Sequence, residues 1–514
     1  MVCRTSGDDM HERNDAMDRK EIVAAADAYW DAHRDAIVAD IAKLVEIPST
    51  EDLAAAAPRA PYGPGPAAAL AAALEIAEGM GMSATNCEGH IGFADLPGET
   101  DTQLGIIGHM DVVPAGPGWT FEPFKVTEKD GFLMGRGCLD DKGPSVVALH
   151  AVKCLAGLDV ARPYTIRFLF GANEETSMAD VAWYLENYES PAFLFTPDAD
   201  FPVCYGEKGG YDGCITSAPI ADPVILDISG GVVTNAVPGE AWAVVRITVE
   251  DAGDGTARID ATGVNAHAAW PERGISAIML LANYLLENGL CNQQEREFLE
   301  LVQSLVSDTT GAGVGIATAD EYFGPLTVVG GTIRKEGDRL VQTMDSRWPT
   351  SITAEEITAA LTKLTDNIGA TFENTLLMVP FLVKPDDPEI QVLQDAFQFV
   401  TGDTEHKPFT IGGGTYAREF KKGASFGVNM PWIENPDWVG GEHGPDEGVS
   451  EELLKTSFKI YVLALAELQG VEDRVEALLP RPCFPGPAFA AGPFLRLGVG
   501  GGAGIGIFDT LIWN

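Results

Sequence analysis

Three short apolar runs, QLGIIGH at 103–109, TIRFLF at 165–170 and AFLF at 192–195, are separated by helix-length segments, one beginning near Pro144 in GPSVVALHAVKCLAGL. Apolar runs this short read as strands buried on both faces. Strands that alternate with helices form βαβ units and force a largely parallel sheet flanked by helices. Ligands in such sheets bind beyond the carboxyl ends of the strands, so the polar residues at those ends are where chemistry is to be sought. Amphipathic helices at 21–47, stopped by Pro48, and at about 66–80 precede this core.

Between 210 and 405 the texture changes to strand-like runs such as EAWAVVRITV and ARIDATG, with helices at about 275–307 and 354–368. This predicts a large α+β domain inserted into the first. The chain then returns through TIGGGTYAREF at 410–420 and a closing helix near 450–470. The expected organisation is therefore an α/β domain in two parts, 20–209 and 406–478, an insert at 210–405, and a tail at 479–514. The tail holds one acidic residue, Asp509, and its Gly/Pro-rich composition reads as a flexible or frame-shifted end.

Charge narrows the function. With 34 basic against 76 acidic residues the formal net charge is −42, which argues against nucleic-acid or anionic-membrane partners. A polar N-terminus and the lack of any membrane-length apolar stretch predict a soluble, cytoplasmic protein. The eight cysteines are scattered without C-x-x-C pairs and read as reduced thiols.

Five segments near predicted strand ends or in Gly/Pro-rich loops concentrate metal-binding side chains: GHMD (His109, Asp111), GRGCLDDKGP (Asp140, Asp141), NEET (Glu174, Glu175), TPDADFP (Asp198) and GGEHGPDEG (His443). Each has a structural explanation: a core histidine with a turn aspartate, helix-capping aspartates, glutamates opening a helix, a turn aspartate, a loop histidine. Together they converge where a parallel sheet would place a site. Imidazoles mixed with carboxylates suit zinc, manganese or cobalt better than calcium or magnesium.

The order H-x-D, G-R-G-x-x-D-D-K-G-P, E-E, D, H-G-P-x-E resembles the di-zinc metallopeptidase family that includes aminoacylase, acetylornithine deacetylase, succinyl-diaminopimelate desuccinylase, carboxypeptidase G and carnosinase. The resemblance spans about 20–470, and HMDVVPAGPGWTFEPF, GRGCLDDKGP and FTPDADFPVCYGEKG look most like bacterial PepV-type dipeptidases. It implies two divalent cations, zinc first and manganese or cobalt as alternatives. His109 and Asp198 would hold one, Glu175 and His443 the other, and Asp140 would bridge. Asp111 would orient His109, and Glu174 would be the general base. Asp141 reads as a structural or cap residue and Cys138 as a bystander. Relatives often carry an acidic residue where this chain has Asn173.

In the insert, which the resemblance makes a lid, His267 of GVNAHAAWPERG would stabilise an oxyanion. Asn235 of VVTNAVPGEA would touch substrate, and Arg347 of MDSRWP would take its α-carboxylate bidentately. Gly413, Gly414 and Thr415, with Arg418 nearby, are further candidate contacts to a bound carboxylate. The implied function is hydrolysis of dipeptides by a monomer whose enlarged lid replaces a partner's. An N-acyl-amino-acid deacylase on the same scaffold and a non-catalytic binding module are the alternatives.

Overall fold

The computed structural model describes residues 17–249, 253–268 and 270–471. The predicted tail at 479–514, Cys3 and Cys483 lie outside them. The first sheet is parallel through its centre, where Thr165–Gly171, Gln103–His109, Phe193–Thr196 and Gly423–Ser425 lie side by side. Antiparallel strands complete its edges: Ser83–Cys87 and Ile91–Leu96 on one side, Cys204–Glu207 and Phe381–Leu382 on the other.

Alternation along each strand sends side chains to opposite faces. Ile106, Phe168, Phe170, Phe193 and Phe195 point into a large core shared with helices Arg19–Val45, Pro64–Gly79, Lys142–Ala156, Pro388–Thr401 and Glu451–Leu468. Their neighbours Ile107, Leu169 and Leu194 face a smaller cluster under helix Ala179–Asn187, with Tyr416 and Phe420. Helix boundaries follow local chemistry. Asp18 and Glu21 form a capping box at the start of the first helix, Pro388 opens its helix, and Gly402, at φ 74°, ends it in the left-handed region.

The insert is a second, antiparallel sheet in the order 253–262, 240–249, 225–230, 333–336, 339–348, 209–216, 371–378. Helices Ala277–Glu287, Gln293–Val306 and Ala354–Asp366 cover it around a separate core. The chain returns to the first domain earlier than the expected 406. Val383, Ile390, Leu393 and Phe397 already belong to the first core, because helix Pro388–Thr401 buries its apolar stripe there. No helix among the described residues is long and apolar enough to cross a membrane. The described cysteines, 87, 138, 154, 204, 214 and 291, are free.

Candidate metal centre

The centre forms where the parallel strands end. His109 is the last residue of its strand and is fully buried. Its Nδ1 lies 3.0 Å from the Asp111 carbonyl, which can only accept, so Nδ1 carries the proton and Nε2 faces Asp140 Oδ1 at 2.8 Å. The Asp111 carboxylate is 3.7 Å from Nδ1. It instead accepts the backbone N–H groups of Glu174 and Glu175 at 3.2 and 3.1 Å. Asp111 thus orients the imidazole through its main chain and both glutamates through its side chain.

Strand Thr165–Gly171 ends just before those glutamates, and the turn allows two adjacent carboxylates to serve one cavity. The turn is fixed from behind: Asp180, buried, accepts Ala172 N at 2.7 Å, Asn173 N at 3.1 Å and the Tyr416 hydroxyl. The Asn173 amide donates to Glu51 at 2.7 Å, a bond that an acidic residue at this position would replace with repulsion.

Asp140 sits between two histidines: its Oδ1 meets His109, and its Oδ2 lies 2.9 Å from His443 Nε2. Glu175 Oε2 is 3.0 Å from the same His443 nitrogen, and Asp198 Oδ2 is 3.6 Å from His109 Nε2. Candidate ligand atoms of His109, Asp140 and Glu175 lie within 4.8 Å of one another, as do those of His109, Glu174 and Asp198. The five expected ligands, His109, Asp140, Glu175, Asp198 and His443, are therefore brought together, with Glu174 as near as a ligand would be.

Burial pushes Glu174, Glu175 and Asp198 above the ordinary carboxylate range, and the charge of Asp140 adds to each. Asp140 goes the other way: burial opposes its ionisation, but hydrogen bonds from His109 and His443 outweigh it. Burial also opposes the charge on His443, yet contact with Asp140 and Glu175 drives it up to about 11. The cluster gathers more carboxyl groups than imidazoles, and its donors are nitrogen and oxygen. That set fits a pair of divalent cations, which would displace the imidazole protons. Cys138 is buried, and burial raises its thiol well above the ordinary value, so it offers no thiolate.

Sequence reasoning passed over two residues within its own motifs. Arg136 of G-R-G and Glu447 of H-G-P-x-E, 1% and 0% exposed, form a buried ion pair. Glu447 also accepts the backbone N–H groups of Gly137, Leu139 and Asp140 at 2.9, 3.0 and 3.2 Å. Arg136 Nη2 donates to the carbonyls of His443 and Gly444 at 3.0 and 3.3 Å. His443 has φ 59°, a left-handed conformation that costs a non-glycine residue about 1–2 kcal/mol. The pair therefore ties the Asp140 loop to the strained His443 loop. Asp141 occupies the helix N-cap position but makes no side-chain cap. Its Oδ2 instead accepts His109 N at 3.1 Å and the Ser145 hydroxyl at 2.8 Å.

Asn235, His267 and Arg347 form a second group on the insert. Strand pairing sets Ala236 opposite His267, and Ala268 N donates to Asn235 O at 2.9 Å. Thr327, opposite Arg347 in the ladder, donates its hydroxyl to Ala268 O at 3.1 Å and draws this hairpin to the sheet. Burial and the Arg347 charge lower the His267 pKa, which favours the neutral ring. Arg347 is 5% exposed, and its Nε and Nη2 bind Asp345 at 3.0 and 2.7 Å. In the glycine-rich loop, Thr415 gives its hydroxyl to Glu207 at 2.7 Å, Gly414 packs on Arg418, and a Cβ on Gly413 would meet only Ile411, at 3.9 Å.

A Beta-Ala-Xaa dipeptidase of Lactobacillus delbrueckii subsp. lactis is 30% identical over 469 residues, covering 86% of this chain and 98% of the relative. Human carnosine dipeptidase 1 shares the fold, with a TM-score of 0.54 and 15% identity over 87% of this chain and 100% of its own. A dinuclear metal-binding peptidase of Bacillus subtilis does likewise, with a TM-score of 0.51 and 11% identity over 86% and 100% of the two chains. Residues 105–467 match the model of peptidase family M20/M25/M40, and the chain belongs to that family.

Proposed function

We propose that this protein hydrolyses dipeptides, including those with an N-terminal β-alanyl residue, using two divalent cations, zinc first among them. The observation that carries the reading is Asp140, whose two oxygens face a histidine each. In this reading His109 and Asp198 would hold one cation, Glu175 and His443 the other, and Asp140 would serve both. The 30% identity to a Beta-Ala-Xaa dipeptidase across nearly its whole length supports the substrate class. Bound cations would supply Lewis acidity and lower the pKa of water.

The chain's own groups do the rest. Glu174, pushed up by burial, is suited to take a proton from water and return it to the leaving amine. His267 donates an N–H to the developing oxyanion, Arg347, whose Nε and Nη2 edge is taken by Asp345, turns its Nη1 to the substrate α-carboxylate, and Asn235, Gly413, Gly414 and Thr415 flank the bound peptide. Thr415, already bonded to Glu207, contributes through the loop it anchors. We take the active species to be a monomer.

A metal-supplemented assay against dipeptides, β-alanyl dipeptides, tripeptides and N-acetyl amino acids tests this. Turnover of the dipeptide classes is expected. Hydrolysis of N-acetyl amino acids without dipeptide turnover would overturn it in favour of a deacylase.

A further inference from the structure

The chain leaves the first sheet for the second through a single residue: Glu207 ends Cys204–Glu207, and Gly209 opens Gly209–Thr216. It returns alongside. Met378 opposes Gly210 in the second sheet, and after Val379 and Pro380, Phe381 opposes Glu207 in the first. Lys208 and Val379–Pro380 are thus neighbouring connectors, and a few backbone dihedrals in them set the pose of the whole inserted domain.

Arg418 lies across both connectors. Its Nη1 donates to Glu207 Oε2 and to Lys208 O, each at 3.3 Å, while Nη2 donates to Val379 O at 2.8 Å and to Lys208 O at 3.4 Å. The Arg418 and Glu207 side chains are 3% and 1% exposed. Glu207 also accepts the N–H and hydroxyl of Thr415, and a Cβ on Gly414 would lie 2.8 Å from Arg418 Nη1. A planar fork with donors on both edges can bind several acceptors at fixed angles, which an ammonium cannot.

We infer that Arg418, held by Glu207, is a positioning residue that fixes the orientation of the inserted domain relative to the metal centre, and that it does not contact the substrate carboxylate. This rests on the reading that Asn235, His267 and Arg347 act on a peptide bound at that centre. If so, a displacement of about 1 Å between the two groups costs on the order of 100-fold in rate.

The test uses Arg418→Met, Arg418→Lys and the double variant Glu207→Gln/Arg418→Met, which leaves no unpaired buried carboxylate. Spin labels carried by non-canonical amino acids at exposed Glu78 and Glu300, one in each domain, report the inter-domain distance. Expected are unchanged metal content, a broadened distance distribution in Arg418→Met and the double variant, and a kcat/KM for dipeptide lower by about 100-fold, mostly in kcat. Arg418→Lys should recover part of both. Distance distributions identical to the parent in both Arg418→Met and the double variant overturn the inference, whatever the activity. Lack of dipeptide turnover by the parent removes the proposed substrate and leaves the distance measurement decisive.

Discussion

Arg136→Met removes the cation that faces Glu447 in a place where both side chains are at most 1% exposed. Breaking a buried ion pair from one side costs about 3–5 kcal/mol, because the remaining charge has no compensation. Three backbone N–H groups still reach Glu447, which places the expected loss near the lower end, about 3 kcal/mol. Glu447→Gln should cost a similar amount, since it strands the guanidinium instead. The double variant removes both charges, so its loss should fall short of the sum by about 1–3 kcal/mol. Urea unfolding of chelator-treated protein, fitted with a common slope, gives the three values without a contribution from metal. Losses that add within about 0.5 kcal/mol would show that the two residues act independently and would refute the argument. Metal affinity should fall in parallel by about 10–100-fold, as for other groups that orient ligands, because Arg136 no longer holds the His443 carbonyl.

Glu174→Gln should keep both cations by elemental analysis and lose about 100- to 10,000-fold in kcat; retained turnover would remove it from the base role. Glu175→Ala should lose bound metal, visible as less than two equivalents after dialysis. Metal uptake near neutral pH should release protons, because contact with Asp140 and Glu175 keeps His443 protonated up to about 11 in the metal-free protein. Calorimetry in buffers of different ionisation enthalpy measures that release. The same raised value sets the sign of a stability effect. In metal-free protein the His443 contribution is fully present below its unfolded value near 6.5 and is lost as pH rises through about 11. Chelated protein should therefore lose part of its stability between neutral and alkaline pH, and replacing His443 should flatten that slope.

Local patterns in the chain carried much of this. Strand Gln103–His109 and strand Glu240–Val249 coincide with runs read directly from hydropathy, and the closing helix differs from expectation by a residue or two. The clustering of the candidate ligands was legible because each ends a strand, follows one or sits in a turn, and their order along the chain is distinctive. Arg136 and Glu447 were not, since they are 311 residues apart and an arginine or glutamate in a loop reads as solvated until a fold buries it. The expected insert boundary at 405 took in helix Pro388–Thr401, because local pattern does not show which sheet receives a buried apolar face. In sequence Arg418 reads as part of a loop that could approach a bound carboxylate, whereas its partners in the fold are Glu207 and the connectors.

The crossing between the two sheets has a consequence for how such a protein can change. Gly210 and Met378, near the two ends of the insert, are opposite partners in one antiparallel ladder, so the segment between them begins and ends at nearly the same point in space. The two large cores it separates draw their buried residues from different stretches of chain. A segment with adjoining ends and its own core behaves as an exchangeable cassette: a tight hairpin turn in place of 211–377 would close the ladder and leave the residues of the candidate metal centre in the first domain. Exchange of the cassette would replace Asn235, His267 and Arg347 together while the clustered histidines and carboxylates of the first domain keep their places.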